Sequence, residues 1–379
     1  MYLDNAATSF PKPECVYRTL DVFMRTSAAN PGRSGHRLAV AADRAIASAR
    51  QRLARLLNAP DPRRIAWTGN CTGALNLALK GFLQPGDHVV TTLLEHNSVA
   101  RPLHALEGRG VAVSRARCPD GRFDLSALLA EIRSETRLVA LTHASNVTGT
   151  VLPVAEVTAE CHKRGVCVLV DAAQTAGVLP IDVRAWELDL VAMPGHKGLY
   201  GPPGTGALYI REGIELSALQ EGGTGSQSER EEQPEVLPDR YEAGTLNSAG
   251  IAGLGAAVEW ILETGQQQLR EREEALLAQL WHGLTEIEEV TLYGPPPGAN
   301  RVSVVSFNLT GWEPTDVAAV LDENFDIQCR PGLHCAPWAH QSLGTFPSGT
   351  VRFSPGYFNT PEEMDAAVDA VRQLASGGS

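Results

Sequence analysis

Apolar positions along the chain fall into two alternating textures. Short runs rich in β-branched residues recur at 87–92 (DHVVTT), 137–142 (RLVALT) and 166–174 (VCVLVDAAQ), and again within 188–198 and at 205–210. Runs of this length, apolar throughout, read as strands buried on both faces. Between them the spacing turns helical. Residues 39–57 carry apolar side chains three and four apart, and 153–164 reads as a helix opened by Pro153 and ended by Gly165. Residues 250–290 read as helical throughout. Pro295–Pro297 and Gly298 then break the pattern. A strand at 302–309, a helix near 314–324, a strand near 350–354 and a last helix from 361 follow. Thr360 caps that last helix, with Pro361 at its first position and Glu363 at its third.

Strands separated by helices predict an α/β fold: a large domain with a mostly parallel sheet covered by helices, then a smaller α+β C-terminal domain. The predicted boundaries are 15–259 and 260–379, with the segment 1–14 packing near the smaller unit. Such sheets bind ligands beyond the carboxyl ends of their strands. The acidic stretch 228–235 (SEREEQPE) reads as a solvated loop.

Composition narrows the partners. The chain has 379 residues and a net charge of −12, which disfavours nucleic acid and anionic membranes as partners. No apolar run approaches the length of a membrane span, and the start shows no basic-then-apolar leader. Seven cysteines, without a CxxC pair, fit a reducing compartment better than a disulfide framework. A cytoplasmic location is expected. Neither HExxH nor a paired Cys/His spacing occurs, so no metal is expected.

Five places carry candidate chemistry. Gly195-His196-Lys197-Gly198 follows an apolar strand, and a lysine amine there suits Schiff-base formation; alone it is equally a surface lysine in a glycine turn. Asp171 ends another apolar run and could pair with a protonated ring nitrogen or cap the next turn. Residues 68–76 (TGNCTGALN), with Cys71 and Thr72, lead into a helix whose N-terminus suits a phosphate. Cys335 lies in Arg330-Pro331-Gly332-Leu333-His334-Cys335, where positive neighbours favour a nucleophilic thiolate; the plain alternative is an inert cysteine. Arg352, inside an apolar strand, needs a partner: a substrate carboxylate or a structural ion pair. No GxxxxGK[ST] occurs, and 201–206 (GPPGTG) is not a GxGxxG strand-to-helix turn.

In order and spacing, EHNS (95–98), SNVTG (145–149), VDAAQ (170–174), GHKGLYGPPGTG (195–206), YEAGT (241–245) and RPGLHCA (330–336) resemble the cysteine desulfurase and selenocysteine lyase family, within the class V aminotransferases of pyridoxal-phosphate fold type I. The resemblance runs from residue 2 to residue 360. It implies pyridoxal 5′-phosphate as cofactor, with Lys197 as its Schiff-base lysine and Asp171 on the pyridine nitrogen. Gln174 would contact the phenolic oxygen, and His96 is implied as a catalytic residue that stacks on the ring and moves protons. Thr72, Cys71 and His196 are expected near the phosphate, with Asn146 also lining the cofactor site. Thr245 resembles a phosphate ligand donated across a homodimer. Asn146, Arg352 and Arg330 are implied as substrate contacts. Cys335 is implied as the nucleophile that takes sulfur from L-cysteine, or selenium from L-selenocysteine, releasing L-alanine. The short Arg-x-Gly-x-His-Cys-Ala loop resembles a branch that hands its persulfide to a dedicated acceptor protein. Two positions depart from the family pattern: Pro194 stands where a small hydroxyl residue is usual, and Cys71 where threonine is frequent.

Overall fold

A computed structural model describes residues 1–31 and 35–377. Its larger sheet has seven strands: β1 (Ile65–Thr68), β2 (His88–Thr92), β3 (Ala112–Ala116), β4 (Thr136–Thr142), β5 (Cys167–Asp171), β6 (Leu190–Pro194) and β7 (Gly206–Ile210). Their order is β1-β7-β6-β5-β4-β2-β3. β3, β2, β4, β5 and β6 are mutually parallel, whereas β7 runs antiparallel to both β6 and β1. The fold is the mostly parallel α/β sheet that the strand-helix alternation predicts.

Side-chain alternation sends successive residues to opposite faces. Val168 and Val170 of β5 join one core, with Ile46, Leu53, Ile251 and Leu254; Leu169 joins the other, with Leu75, Leu79 and Leu103. The first face is covered by α1 (Glu14–Thr26), α2 (Arg37–Leu56) and, downstream, α7 (Ser248–Thr264). The second is covered by α3 (Cys71–Phe82) and α4 (Asn97–Glu107). Two short helices, α5 (Leu125–Ala130) and α6 (Val154–His162), complete the connections. Pro153 stands one place ahead of α6, at its cap.

A second sheet, ordered β10-β11-β9-β8, is antiparallel: β8 (Val290–Tyr293), β9 (Val305–Leu309), β10 (Arg330–Gly332) and β11 (Thr350–Phe353). Its core packs against α8 (Gln266–Thr285), α9 (Pro314–Phe325) and α11 (Pro361–Gly377), and includes Leu3 from the chain start. α10 (Pro337–Leu343) follows the Cys335 loop. Residues 1–5 run along this unit: the Leu3 N–H donates to Gln328 O and the Asn5 N–H to Ser354 O.

The expected continuous helix 250–290 is two helices. Gly265 adopts φ +89, a conformation open to glycine and costly to other residues, and it ends α7 and opens α8. The segment read as a loop at 330–336 begins instead as β10, with Arg330 opposite Arg352. Among the described residues, no helix is long and apolar enough to cross a membrane.

A buried ion pair ties α2 to the loop before α7. The two Arg50 guanidinium nitrogens donate to the Glu242 carboxylate at 2.6 and 2.9 Å, and Glu242 also accepts the Trp67 N–H at 2.6 Å. Removing one partner strands the other charge away from water. Glu242→Ala is therefore expected to lower unfolding free energy by about 3–5 kcal/mol, measured by urea denaturation.

Candidate active site

Because β2, β4, β5 and β6 are parallel, their carboxyl ends lie at one edge of the sheet. Each is followed there by a polar residue: Glu95-His96 after β2, Asn146 after β4, Asp171 at the end of β5, and His196-Lys197 after β6. One cavity of about 220 Å³ at this edge is lined by Lys197, Asp171, Gln174, His96, Asn146 and Arg330, and also by Cys71, Thr72 and His196. Nine of the twelve residues singled out in the sequence thus meet in one place.

Lys197 sits in a turn closed by the Tyr200 N–H donating to its carbonyl at 2.8 Å. The turn is tightly packed: a Cβ on Gly198 would stand 2.7 Å from Ala176 O. Burial, then the positive charge of Arg352, holds the Lys197 amine below the ordinary lysine range, while Asp171 pulls the other way. A lysine so placed has a larger share of the neutral, nucleophilic amine.

Asp171 is 3% exposed. Its Oδ1 accepts the Ala173 N–H at 2.9 Å and the Cys71 thiol at 3.6 Å. Burial pushes its carboxyl above the usual range, opposed by the Ala173 N–H and by Lys197. Its hydrogen-bond partners are a peptide and a thiol, not a cation, so a cationic group facing Asp171 would offset the cost of its burial.

Cys71 and Thr72 open α3, whose cap is Asn70 Oδ1 accepting the Gly73 N–H at 2.8 Å. The Cys71 thiol therefore engages Asp171 directly. Thr72 Oγ1 lies 2.9 Å from Ser98 Oγ, which in turn lies 2.9 Å from His96 Nδ1. His96 caps α4, with Nδ1 accepting the Ser98 N–H at 3.0 Å. That bond leaves the neutral ring's hydrogen on Nε2. Burial and then Lys197 push the His96 pKa down to about 4. An NMR titration of the His96 ring is expected to show no protonation step until the pH falls to about 4.

His196 also has its pKa lowered to about 4, chiefly by burial. Its carbonyl collects the Ser9 N–H, the Thr8 hydroxyl and the Lys12 amine at 3.1, 3.0 and 2.7 Å. Gln174 Nε2 donates to Ala6 O at 3.2 Å. The chain start thereby braces both the residue before Lys197 and Gln174.

Three residues stand outside the cavity lining. Cys335 is half-buried, and Arg330 donates to its sulfur at 3.2 Å. Its carbonyl accepts the Asn97 N–H at 2.7 Å, and the preceding His334 carbonyl accepts from Asn146 Nδ2 at 2.8 Å. Arg352, fully buried, donates to Asp4 Oδ1 at 2.6 Å and to Asn146 O at 3.1 Å, with Nε unpartnered. Of the two partners the sequence left open for it, the structure records the ion pair. Thr245 is exposed and lines a different cavity, with Arg50 and Glu242. It is not brought to Lys197 within its own chain. Sequence reasoning did not single out Ser98, the hydroxyl between Thr72 and His96, or Asn70. The Asn-x-x-Gly cap spacing signals Asn70, and Ser98 lies in the EHNS run without a role read for it.

The residues fit pyridoxal phosphate. A buried carboxylate with no cation hydrogen-bonded to it, a lysine amine held below its ordinary range and a capped helix start surround one cavity. Among the described residues, no group of three or more His, Cys, Asp or Glu side chains is placed to hold a metal.

Comparison with known proteins points the same way. A probable cysteine desulfurase of Methanothermobacter thermautotrophicus is 36% identical over 386 residues, covering 100% of this chain and 95% of that relative. A cysteine desulfurase of Escherichia coli O127:H6 is 34% identical over 387 residues, covering 98% and 93%. Among solved structures, the apo cysteine desulfurase of Thermococcus onnurineus NA1 superposes with a TM-score of 0.92 at 34% identity, covering 100% of this chain and 95% of that one. The Escherichia coli cysteine desulfurase CsdA gives a TM-score of 0.87 at 31% identity, covering 99% and 94%. The family model for aminotransferase class V matches residues 1–367. With that match over nearly its whole length, this chain belongs to the class V aminotransferase family.

Proposed function

We propose that the chain is a pyridoxal-phosphate-dependent cysteine desulfurase that converts L-cysteine to L-alanine and carries the sulfur as a persulfide on Cys335. The observation that carries this reading is the joining of Lys197 and Asp171 in one cavity with Arg330, whose guanidinium holds the Cys335 sulfur. A thiol at that spot is superfluous for transamination or simple elimination and necessary for sulfur transfer.

When bound, pyridoxal phosphate supplies an aldehyde for Lys197 and a protonated ring that draws electrons from the substrate. Asp171 would hold the ring nitrogen, Gln174 the phenolic oxygen, and His96 the ring face through a neutral imidazole. Thr72, Cys71 and His196 would surround the phosphate. Cys71 is the weakest of these three assignments in geometry, because its thiol is turned to Asp171. Asn146, Arg330 and Arg352 would receive the substrate carboxylate, Arg352 by exchanging Asp4 for it.

Lys197 Nζ, as a neutral amine, would take the proton from the substrate Cα. Cys335 Sγ forms a bond to the substrate sulfur as the Cβ–S bond breaks. The electron pair of that bond stays on Cβ, which takes the proton given up by the Cys335 thiol and becomes the methyl group of alanine, and Lys197 gives its proton back to Cα. In total, two thiols become one persulfide and one C–H bond. A thiol acceptor then removes the outer sulfur.

The exposed position of Thr245, away from Lys197 in its own chain, supports a homodimer in which each subunit lends this residue to the other site. A large cofactor-binding domain and a smaller C-terminal domain complete the reading. The test is turnover of L-cysteine by the purified chain with pyridoxal phosphate and a thiol reductant. Equal sulfide and alanine are expected, with a visible absorption band from the lysine-linked cofactor. Keto acid in place of alanine would move the function to a transaminase or a β-lyase.

A further inference from the structure

Lys197 lines two cavities. One is the site described above. The second, a much smaller space of about 40 Å³, is lined by Lys197, Gln174, Ser9, Tyr200 and Glu273. Glu273 comes from α8, in the unit built on the second sheet, and is 7% exposed. The Tyr200 hydroxyl donates to Glu273 Oε1 at 3.1 Å. Tyr200 is also the residue whose N–H closes the Lys197 turn.

Tyr200 adopts φ +56. A bulky side chain in the left-handed region is strained and persists only where its surroundings over-determine it. Those surroundings are aromatic and ionic. Trp260 meets the Tyr200 ring edge-on at 5.2 Å, and Phe358 meets it at 6.1 Å. The hydroxyl is tethered to the Glu273 carboxyl and also meets the Tyr357 backbone N–H. Neither residue has a part in the chemistry assigned above, yet a buried carboxyl and a buried phenol are expensive to keep.

We propose that Tyr200 and Glu273 form a positioning pair that ties the Lys197 turn to α8 and so fixes where the Lys197 amine stands. The proposal rests on the reading of Lys197 as the reactive amine. It makes the placement of α8 against the larger sheet a determinant of the lysine's geometry, although α8 is sequence-remote from the turn.

The pair also responds to pH. Burial pushes the Glu273 carboxyl up to about 7 and the Tyr200 phenol well above its ordinary value. Facing Glu273 are the Tyr200 hydroxyl, a Tyr357 backbone N–H and, across the small cavity, Lys197. On α8 itself, Arg270 is held by Glu274, and Arg272 by the carbonyls of Tyr357 and Asn359. As pH rises through neutrality the acceptor becomes a carboxylate, a stronger partner for a hydroxyl. Glutamine keeps an oxygen acceptor of the same shape and loses that change.

The experiment reads Lys197 without cofactor. Only four lysines occur, at 12, 80, 163 and 197, so modification by trinitrobenzenesulfonate can be followed residue by residue in peptides. Rates are compared across neutral pH for the wild type, Tyr200→Phe, Glu273→Gln and Glu273→Ala, with Lys80 and Lys163 as references. Tyr200→Phe and Glu273→Ala are expected to change the Lys197 rate by about threefold to tenfold and to leave the references alone. Glu273→Gln is expected to keep the wild-type rate below neutrality and to lose the step near it. Unchanged Lys197 rates in Tyr200→Phe, which removes a single oxygen, would overturn the proposal. So would a Glu273→Gln profile as displaced as that of Glu273→Ala. Adding pyridoxal phosphate to the wild type is a separate arm. If no lysine-linked band forms, the cofactor reading of Lys197 fails, while the amine rates still decide the positioning pair.

Discussion

Lys197→Ala is expected to abolish alanine formation from L-cysteine, with a loss of at least about 10³-fold. The visible band of the lysine-linked cofactor should vanish with it. The size of the effect follows from how much converges on one nitrogen. Lys197 is the amine at the cavity, half-buried, at the carboxyl edge of the sheet, with Asp171 in the same lining. Burial and Arg352 depress its pKa, so at neutral pH the amine is a better nucleophile and base than an exposed lysine. No other lysine lines the cavity, so no neighbour can take its place. Steady-state alanine release, with a melting curve to confirm folding, is the measurement. Turnover within tenfold of wild type would end the proposed mechanism.

The second large effect is at Cys335. Cys335→Ala is expected to lower sulfur transfer from L-cysteine by about 10²-fold or more while leaving the cofactor band intact. The two halves of that result have separate structural causes. The sulfur is held by Arg330 at 3.2 Å but does not line the cavity, so its loss does not disturb cofactor binding. The backbone of the loop is fixed independently, by Asn97 and Asn146 acting on the carbonyls of Cys335 and His334. Cys335 itself stands at φ +58. Cysteine and alanine carry the same Cβ penalty there, so the substitution adds no backbone strain. Activity on L-selenocysteine should fall less, because selenium leaves carbon more readily than sulfur. Equal loss of the cofactor band and of turnover would place Cys335 in cofactor binding instead.

Much of this was legible along the chain because strands and their ends are local. An apolar run such as VCVLVDAAQ marks both a buried strand and the carboxylate that terminates it. In a parallel sheet, every such terminus falls at one edge. The motifs at 95–98, 145–149, 170–174 and 195–206 therefore reached the same cavity. The Gly265 break was missed because the flanking sequences are each helical, and a single glycine is tolerated inside many helices. β10 was missed because three residues including a proline and a glycine carry no strand pattern of their own. Arg330–Gly332 is a strand only because Thr350–Phe353 offers it a partner.

The sequence by itself determined the family, the order of the sheet-edge residues and the kind of chemistry they carry, since these depend on residue type and short-range spacing. Tertiary structure alone decided the partners of the buried polar and charged groups. Arg352 meets Asp4 across 348 positions, Arg50 meets Glu242 across 192, and Tyr200 meets Glu273 across 73. Such pairings are set by how layers pack. Burial makes an unpaired charge too costly to leave, and no periodicity along the chain states which distant side chain will be there to meet it.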